Sequence, residues 1–190
     1  MTSDSALEAL GTRIESLVPD AAFPDDPFII LALRQALAGA REGNGAIGAV
    51  LADGQDRVIF EGRNRMLYPH FRSDLHAEMD VLTGFEESHK NESLRGCTLF
   101  TTLEPCEMCT IRIIYSGVSR VRFAAPDFDK GGISGPNKLP QLWASLASDQ
   151  EFAAAECRPE LADLSRQIFD LTLPRALAKL QQRRTGASSS

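Results

Sequence analysis

Two short segments of the sequence carry residue types that could bind a metal ion and move a proton. The first reads His-Ala-Glu at residues 76–78, and the second reads Pro-Cys-Glu-Met-Cys at residues 105–109. Cys106 and Cys109 are three residues apart at a predicted helix start, so their thiols face the same way. The partial positive charge of a helix N-terminus also favours thiolates there. His76 lies at the start of another predicted helix, and it joins the two thiolates if the first turns of both helices converge.

Such a set supplies three of the four ligands that zinc takes in proteins, which leaves one position for water. An open position is typical of a catalytic zinc site rather than a structural one. Two thiolates balance the charge of Zn²⁺, and the metal lowers the pKa of a bound water toward about 7. Glu78 lies two residues beyond His76 and is not needed as a ligand. We therefore predict that Glu78 takes the proton from that water and passes it to a leaving amine.

Two other interpretations of the cysteines remain open. A redox pair needs the Cys-x-x-Cys motif but not the upstream His-x-Glu. A structural site with three cysteines and one histidine would need Cys97 or Cys157 as its fourth ligand. Cys97 begins a predicted strand whose far end leads to Cys106, and Cys157 lies at the end of another predicted strand. We expect both to be buried packing residues, which favours the catalytic site.

The composition bounds the class of protein. The chain has 190 residues, with 20 basic and 26 acidic side chains and a formal charge of −6. Its four cysteines are too few for a disulfide scaffold. We expect a cytoplasmic protein without a membrane partner, because no secretory signal is evident and the longest dense apolar stretch, 28–33, is far shorter than the ~20 residues of a membrane helix. The acidic balance disfavours nucleic acid as a partner, although a local basic patch would allow it.

The elements that must position the two motifs alternate between helix and strand. Apolar spacing and capping residues predict helices over 3–18, 26 to about 43, 77–88, 105–116, 142–147 and 159–182. Strands are predicted over 47–52, 58–62, 98–103, 120–124 and 152–157. Asp26 is the predicted N-cap of the second helix, with Pro27 at its first position. The alternation predicts an α/β fold, namely a three-layer α/β/α sandwich around a five-stranded mixed sheet that is mostly parallel after its first hairpin.

The length and the distribution of elements indicate one domain with short additions at its ends. Residues 1–25 are predicted to form an N-terminal helix and a linker, and residues 26–182 the domain that carries both motifs. Residues 183–190 are predicted to be a disordered tail. A loop rich in glycine, proline and aspartate is predicted over 126–140.

At the two motifs the chain resembles the cytidine-deaminase-like superfamily, whose zinc signature is His-x-Glu followed by Pro-Cys-x-x-Cys. It is most similar to the branch that holds guanine deaminases, small nucleoside deaminases and bacterial tRNA adenosine deaminases. The resemblance runs from about Phe28 to Ala178. Histidine in the first motif argues against the tetrameric cytidine deaminases, and the compact second motif argues against the riboflavin-pathway deaminases. Further shared segments lie at 47–50, 61–64, 102–104 and 116–121.

The resemblance implies a role for each motif residue. It implies the cytidine-deaminase-like fold and one zinc ion per chain, bound by His76, Cys106 and Cys109, with Glu78 as the proton shuttle. It implies that Asn64 hydrogen-bonds the edge of the base, although a loop-capping role would explain an asparagine there too. It also implies a homodimer with the two pockets near the interface.

Departures from the family pattern bear on the substrate. Arg-Ser-Asp-Leu at 72–75 stands where the branch often has Asp-Pro-Thr-Ala, and Pro126 stands where the tRNA enzymes have an arginine. Lys179, Arg183 and Arg184 form a basic cluster, which a solvated helix end explains as well as RNA binding. We expect a zinc-dependent hydrolase that releases ammonia from a small nucleobase or nucleoside, with a guanine-like aminopurine favoured over an aminopyrimidine or triazine. The alternatives are a tRNA adenosine-to-inosine deaminase and a non-catalytic binding module stabilised by zinc.

Overall fold

The computed structural model describes residues 3–127 and 139–186, which are built around one central sheet. The helices are α1 (Ser3–Glu15), α2 (Asp26–Glu42), α3 (Ala77–Ser88), α4 (Glu107–Ser116), α5 (Gln141–Leu146) and α6 (Pro159–Thr185). The strands are β1 (Gly48–Ala52), β2 (Val58–Arg63), β3 (Thr98–Leu103), β4 (Arg120–Ala125) and β5 (Glu151–Ala154). The order of these elements is the order that the sequence predicted.

The five strands form a single mixed sheet in the order β2-β1-β3-β4-β5. β1 pairs antiparallel with both β2 and β3, while β3, β4 and β5 run parallel. Every residue of β1 and β3 is buried, as expected for central strands that are covered on both faces. The predicted five-stranded mixed sheet is confirmed.

Helices cover both faces of the sheet, which confirms the three-layer α/β/α architecture. α1, α2 and α6 pack on one face, where Leu33 and Leu164 are fully buried. α3 and α4 pack on the other face, where Leu82 and Ile113 are fully buried. Removal of this apolar surface from water is the main force that holds the layers together. Within the described part of the chain, no helix combines the length and the apolar character that crossing a bilayer requires.

Gly48 allows α2 and β1 to approach closely. A Cβ atom at Gly48 would lie 2.0 Å from the carbonyl oxygen of Ala32 and 2.6 Å from the amide nitrogen of Ala36. The amide of Gly48 donates a hydrogen bond to Thr102 Oγ1 at 3.2 Å. Backbone packing therefore explains this glycine.

The structure contradicts the prediction that Asp26 is the N-cap residue of α2. Asp25 occupies the N-cap position and makes no side-chain capping hydrogen bond. Asp26 is fully buried, and its carboxylate accepts hydrogen bonds from the amide of Asp20 and from the amide and Nε of Arg158. The prediction was wrong because the main partner of Asp26 lies at the start of α6, far away in the sequence.

The ends of two elements also differ from the prediction. α4 begins at Glu107, two residues after the predicted start, because the preceding residues belong to the connection from β3. α6 ends at Thr185, so it includes part of the segment 183–190 that was predicted to be a tail. The last four residues lie outside the described part of the chain, as do residues 128–138 of the loop predicted over 126–140.

Candidate functional site

The two motif segments lie at the N-terminal ends of α3 and α4. His76 occupies the N-cap position of α3, and Cys106 occupies that of α4, both with extended backbone angles. Neither side chain forms a capping hydrogen bond to its own helix. Cys109 follows in the first turn of α4 and is only 1% exposed. Because α3 and α4 pack side by side on one face of the sheet, these three side chains meet between them.

The spacing of the three side chains fits one zinc ion. His76 Nδ1 lies 3.6 Å from Cys106 Sγ and 3.5 Å from Cys109 Sγ. All three ligand atoms lie within 4.8 Å of one another. A tetrahedral ion with Zn–N of about 2.0 Å and Zn–S of about 2.3 Å separates its nitrogen and sulfur ligands by about 3.5 Å. The structure thus brings together the three residues that the sequence singled out, and their role as zinc ligands stays a prediction.

Hydrogen bonds within this set determine where its protons lie. The hydrogen bond from the Cys109 thiol, with help from the imidazole, lowers the pKa of Cys106 to about 4. The same hydrogen bond and burial raise the pKa of Cys109 well above its ordinary value. Burial opposes the charge on His76, but the hydrogen bond with Cys106 and the charge of Glu78 raise its pKa overall. Cys106 is therefore a ready thiolate, whereas Cys109 and His76 hold protons that a metal ion must displace.

Glu78 lies in the first turn of α3 and is 3% exposed. Its Oε2 accepts a hydrogen bond from the Cys109 thiol at 3.4 Å, and its Oε1 accepts one from Thr101 Oγ1 at 3.3 Å. Burial, followed by the negative charge of Cys106, raises the pKa of Glu78. Among the described residues, the three side chains that could hold a metal ion include no carboxylate, so Glu78 is not one of the candidate ligands. A buried carboxyl beside a metal site, with a raised pKa, can receive and release a proton.

Asn64 follows β2 and is 3% exposed. The backbone N–H of Asn64 donates to the carbonyl of Ile47 at 3.0 Å. Its side-chain Oδ1 accepts a hydrogen bond from the backbone N–H of Met66 at 3.0 Å. The loop contact that the sequence allowed is therefore present. Asn64 also lines the cavity beside the metal group. Because Oδ1 holds the loop, the NH₂ group is the part of the side chain that remains to donate to a ligand, and contact with a base stays a prediction.

A cavity of about 260 Å³ lies next to the metal group. The lining of this cavity includes Asn64, His76, Glu78 and Cys106. It also includes one face of α6, whose contributing residues are separated by one or three positions and are mostly apolar. These wall residues are Phe169, Thr172, Leu173, Ala176, Leu177 and Leu180. The cavity thus combines an apolar surface of α6 with the groups that could do chemistry.

Two acidic residues that the sequence analysis did not assign also line the cavity. Glu104 is 4% exposed, and its Oε2 accepts a hydrogen bond from the amide of Asp127 at 2.9 Å. Both residues lie just beyond the carboxyl ends of parallel strands, Glu104 after β3 and Asp127 after β4. Carboxyl ends of adjacent parallel strands meet at one edge of a sheet, where ligands bind in open α/β folds. This rule could have pointed to both residues from the sequence, because each follows a predicted strand.

The other two cysteines lie apart from the metal group. Cys97 is buried in the core beneath α3 and α4, and Cys157 packs against the core on the opposite face of the sheet. Burial and the nearby carboxylates raise the pKa of Cys157 to about 11, so it is a thiol. Neither cysteine supplies a fourth ligand within the described residues.

Comparison with known proteins identifies the family. The family model of the cytidine and deoxycytidylate deaminase zinc-binding region matches residues 24–125. This match covers more than half of the chain and includes both motifs.

Curated relatives carry more than one substrate name. The chain is 35% identical over 146 residues to a tRNA-specific adenosine deaminase of Agrobacterium fabrum, which covers 75% of this chain and 91% of that protein. It is 34% identical over 99 residues to a cytosine deaminase of Candida albicans, which covers 52% of this chain and 65% of that protein. A match with a tRNA-specific adenosine deaminase of Haemophilus influenzae, 38% identical over 89 residues, covers 46% of this chain and 50% of that protein. The chain thus spans between half and two thirds of the length of two of these relatives.

Solved structures show the same fold. The structure of a tRNA:A34 deaminase is 33% identical, with a TM-score of 0.53 over 57% of this chain and 82% of that chain. The structure of the guanine deaminase from Nitrosomonas europaea is 23% identical, with a TM-score of 0.61 over 85% of this chain and 91% of that chain, and it supports the fold alone. Taken with the match of the family model to both motifs, these likenesses show that the chain belongs to the zinc-binding cytidine and deoxycytidylate deaminase family.

Proposed function

We propose that this chain is a zinc-dependent hydrolase that releases ammonia from a small nucleobase or nucleoside, with an aminopurine such as guanine favoured. The observation that carries the proposal is the placement of Glu78. Its buried carboxyl lies 3.4 Å from a predicted zinc ligand and lines a cavity next to the metal group. A zinc site that only stabilised a binding module would not need this carboxyl or an open position beside it. The third alternative from the sequence is therefore disfavoured.

The residues of the cavity can perform each proton step of such a reaction. A zinc ion held by His76, Cys106 and Cys109 would supply Lewis-acid activation of water. Glu78 accepts in turn the two protons that the attacking water loses, and it delivers one to the ring nitrogen and the other to the departing amine. The raised pKa of Glu78 suits a group that must carry a proton between these steps. Water and the amine-bearing ring are thereby converted to a ring carbonyl and ammonia.

The rest of the cavity suits a flat ring. The apolar face of α6 can pack against the ring and exclude bulk water. The NH₂ group of Asn64 can donate to an acceptor on the edge of the base. A volume of about 260 Å³ is below the ~300–1,000 Å³ of pockets that hold drug-sized ligands. These features support a single ring system rather than an extended ligand inside the cavity.

One observation favours the second candidate, a tRNA adenosine deaminase. Leu177 and Leu180 line both the cavity and an adjoining groove that includes Arg184. Arg183 lies nearby along α6, 4.2 Å from the centre of the Phe71 ring. A polynucleotide could follow this groove with its backbone while one base is flipped into the cavity. Two of the curated relatives described above carry this name.

The test is ammonia release by the zinc-loaded protein from a panel of free bases, nucleosides and a tRNA anticodon stem-loop. We expect release from a free base or nucleoside, and loss of this activity when a chelator removes the zinc. Inosine in the stem-loop without ammonia from any free base or nucleoside would establish the tRNA candidate instead. A zinc-loaded protein that acts on no member of the panel would overturn both.

The assembly and the location of the protein are further proposals. We propose a homodimer, which light scattering of the purified protein tests directly. We also propose a cytoplasmic location, because the pair of predicted cysteine ligands suits a reducing compartment. Cell fractionation tests that location.

A further inference from the structure

We propose that Thr172 is a positioning residue for Asn64. Its hydroxyl holds the backbone of residues 45–47, and this turn in turn holds Asn64 at the cavity. The proposal rests on the deaminase function given above, in which Asn64 contacts the edge of the base. Thr172 lies on α6, 126 positions along the chain from its partner Ala46. Its role concerns affinity for the ring rather than the proton transfers of Glu78.

The hydroxyl of Thr172 joins α6 to the segment that enters β1. Thr172 is 4% exposed, and its Oγ1 accepts a hydrogen bond from the backbone N–H of Ala46 at 3.0 Å. The same Oγ1 donates within α6, where the carbonyl oxygens of Ile168 and Phe169 lie at 3.2 and 3.0 Å. A hydroxyl has a single hydrogen, and these carbonyls occupy it. Thr172 therefore has no donor left for a ligand, and toward Ala46 it acts as an acceptor.

The turn at residues 45–47 depends on this acceptor. Ala46 is fully buried, and the Thr172 hydroxyl is the hydrogen-bond partner of its N–H. Without the hydroxyl this N–H would be a buried donor that lacks a partner among the described residues, a state that folded proteins avoid. Gly45 and Ile47, on either side of Ala46, both line the cavity, and the N–H of Ile47 donates to the carbonyl of Gly45 at 2.9 Å. Loss of the hydroxyl therefore favours a shift of a tight turn that forms part of the cavity.

The same turn contacts Asn64 at two places. The carbonyl of Ile47 accepts a hydrogen bond from the backbone N–H of Asn64 at 3.0 Å. A Cβ atom added at Gly45 would lie 3.6 Å from Asn64 Nδ2, so the turn also lies against the side-chain amide. This Nδ2 is the donor that we assign to the ring. A shift of the turn thus moves the donor, and a misplacement of about 1 Å is enough to weaken a specific contact strongly.

The first experiment is a double-mutant cycle on the full-length, zinc-loaded protein, with the substrate that releases ammonia best. Thr172→Val keeps the shape of the side chain but removes the acceptor, and it should lower kcat/KM about tenfold, mostly through KM. Thr172→Ser keeps the hydroxyl and should stay within about threefold of the unmodified protein. In an Asn64→Ala background, Thr172→Val should change KM less than about twofold, because the group that it positions is gone.

The second experiment needs no substrate. Amide hydrogen exchange of residues 44–48 and 62–67 in the zinc-loaded protein should become at least about tenfold faster in Thr172→Val and stay nearly unchanged in Thr172→Ser. Residues 79–86 of α3 should exchange as before, because a local loss of order leaves the rest of the protein protected. Thr172→Ala, which also lacks the acceptor, makes the same comparison with a smaller side chain. This measurement decides the proposal even when no ammonia is released, an outcome that would remove the deaminase function alone.

The matched control is Thr12→Val. The hydroxyl of Thr12 donates to the carbonyl four residues earlier on α1, as that of Thr172 does on α6, but Thr12 is exposed and does not line the cavity. Its replacement should leave KM and hydrogen exchange unchanged. The proposal is overturned if the effects of Thr172→Val and Asn64→Ala on KM are additive, or if Thr172→Ser behaves like Thr172→Val. It is also overturned if exchange near Asn64 does not change, or rises equally throughout the protein.

Discussion

Replacing Glu78 by glutamine should abolish most activity while leaving the fold as stable as before or more stable. Glutamine has the same shape, and its carbonyl can still accept the hydrogen bond from Thr101, but it cannot take up a proton from water. General acid–base catalysis contributes typically 10²–10⁴-fold to rates. Ammonia release by Glu78→Gln should therefore fall by at least about 100-fold.

The expected gain in stability follows from the surroundings of the carboxyl. Glu78 is 3% exposed, and its two hydrogen bonds are long, at 3.3 and 3.4 Å. Burial raises its pKa, which means that the folded protein disfavours the charged form. Each tenfold change in the acid dissociation constant corresponds to about 1.4 kcal/mol against the charged form, and a neutral amide of the same shape avoids that cost. For a chain of this size, each kcal/mol raises the melting temperature by about 2–4 °C.

The assay compares ammonia release by the zinc-loaded protein, and urea unfolding of the metal-free protein, with those of Glu78→Gln and Glu87→Gln. Glu87 lies on the same helix, is exposed, and should tolerate the substitution with less than about 0.5 kcal/mol of change and full activity. Unchanged ammonia release by Glu78→Gln would refute the assigned proton transfers. A loss of more than about 1 kcal/mol in the free energy of unfolding would refute the view that this carboxyl is held against its preference for water.

Three further predictions concern the metal group and the packing that positions it. Zinc affinity, measured by competition with a chelator, should fall as the pH is lowered from 8 to 6. The reason is that raised pKa values keep Cys109 and His76 protonated in the metal-free protein, so zinc must displace their protons. An affinity independent of pH would contradict this. Asp26→Asn should cost about 3–5 kcal/mol in urea unfolding, since it breaks the buried pair with Arg158 at 2.6 Å, and a cost below 1 kcal/mol would show that this contact is dispensable. Gly48→Ala should cost about 3 kcal/mol or more, because its Cβ would collide with the backbone of α2, and a variant of normal stability would show that helix and strand can separate freely.

The metal group could be predicted from the sequence because each residue is tied to a local signal. His76 and Cys106 both stand at helix starts, and Cys109 follows at the helical spacing that places two thiols together. Alternation of helices and strands then restricts how the two helix starts can be arranged on a sheet. Local pattern and topology made the convergence of three distant side chains possible, and the resemblance to the deaminase zinc signature singled out this set.

The contacts that the sequence analysis missed depend on partners far apart in the chain. Arg166 reaches Asp127 from α6, and Arg158 reaches Asp26 from the start of the same helix. Neither arginine differs in its local pattern from one on a solvated helix surface. Their roles arise only when α6 crosses the sheet, so hydrophobic spacing and capping residues could place the helix but not the ends of its long side chains.

The candidate metal group and much of the cavity wall lie in different parts of this chain. The family model ends at Ala125, after both motifs and Asn64. Asp127, Arg166 and the α6 residues that line the cavity all follow that point. On the proposed function, the matched region carries the groups that activate water, while part of the cavity wall lies beyond it. We therefore expect substitutions on the cavity face of α6 to change which ring is bound without removing the zinc, which the substrate panel and a zinc titration test together.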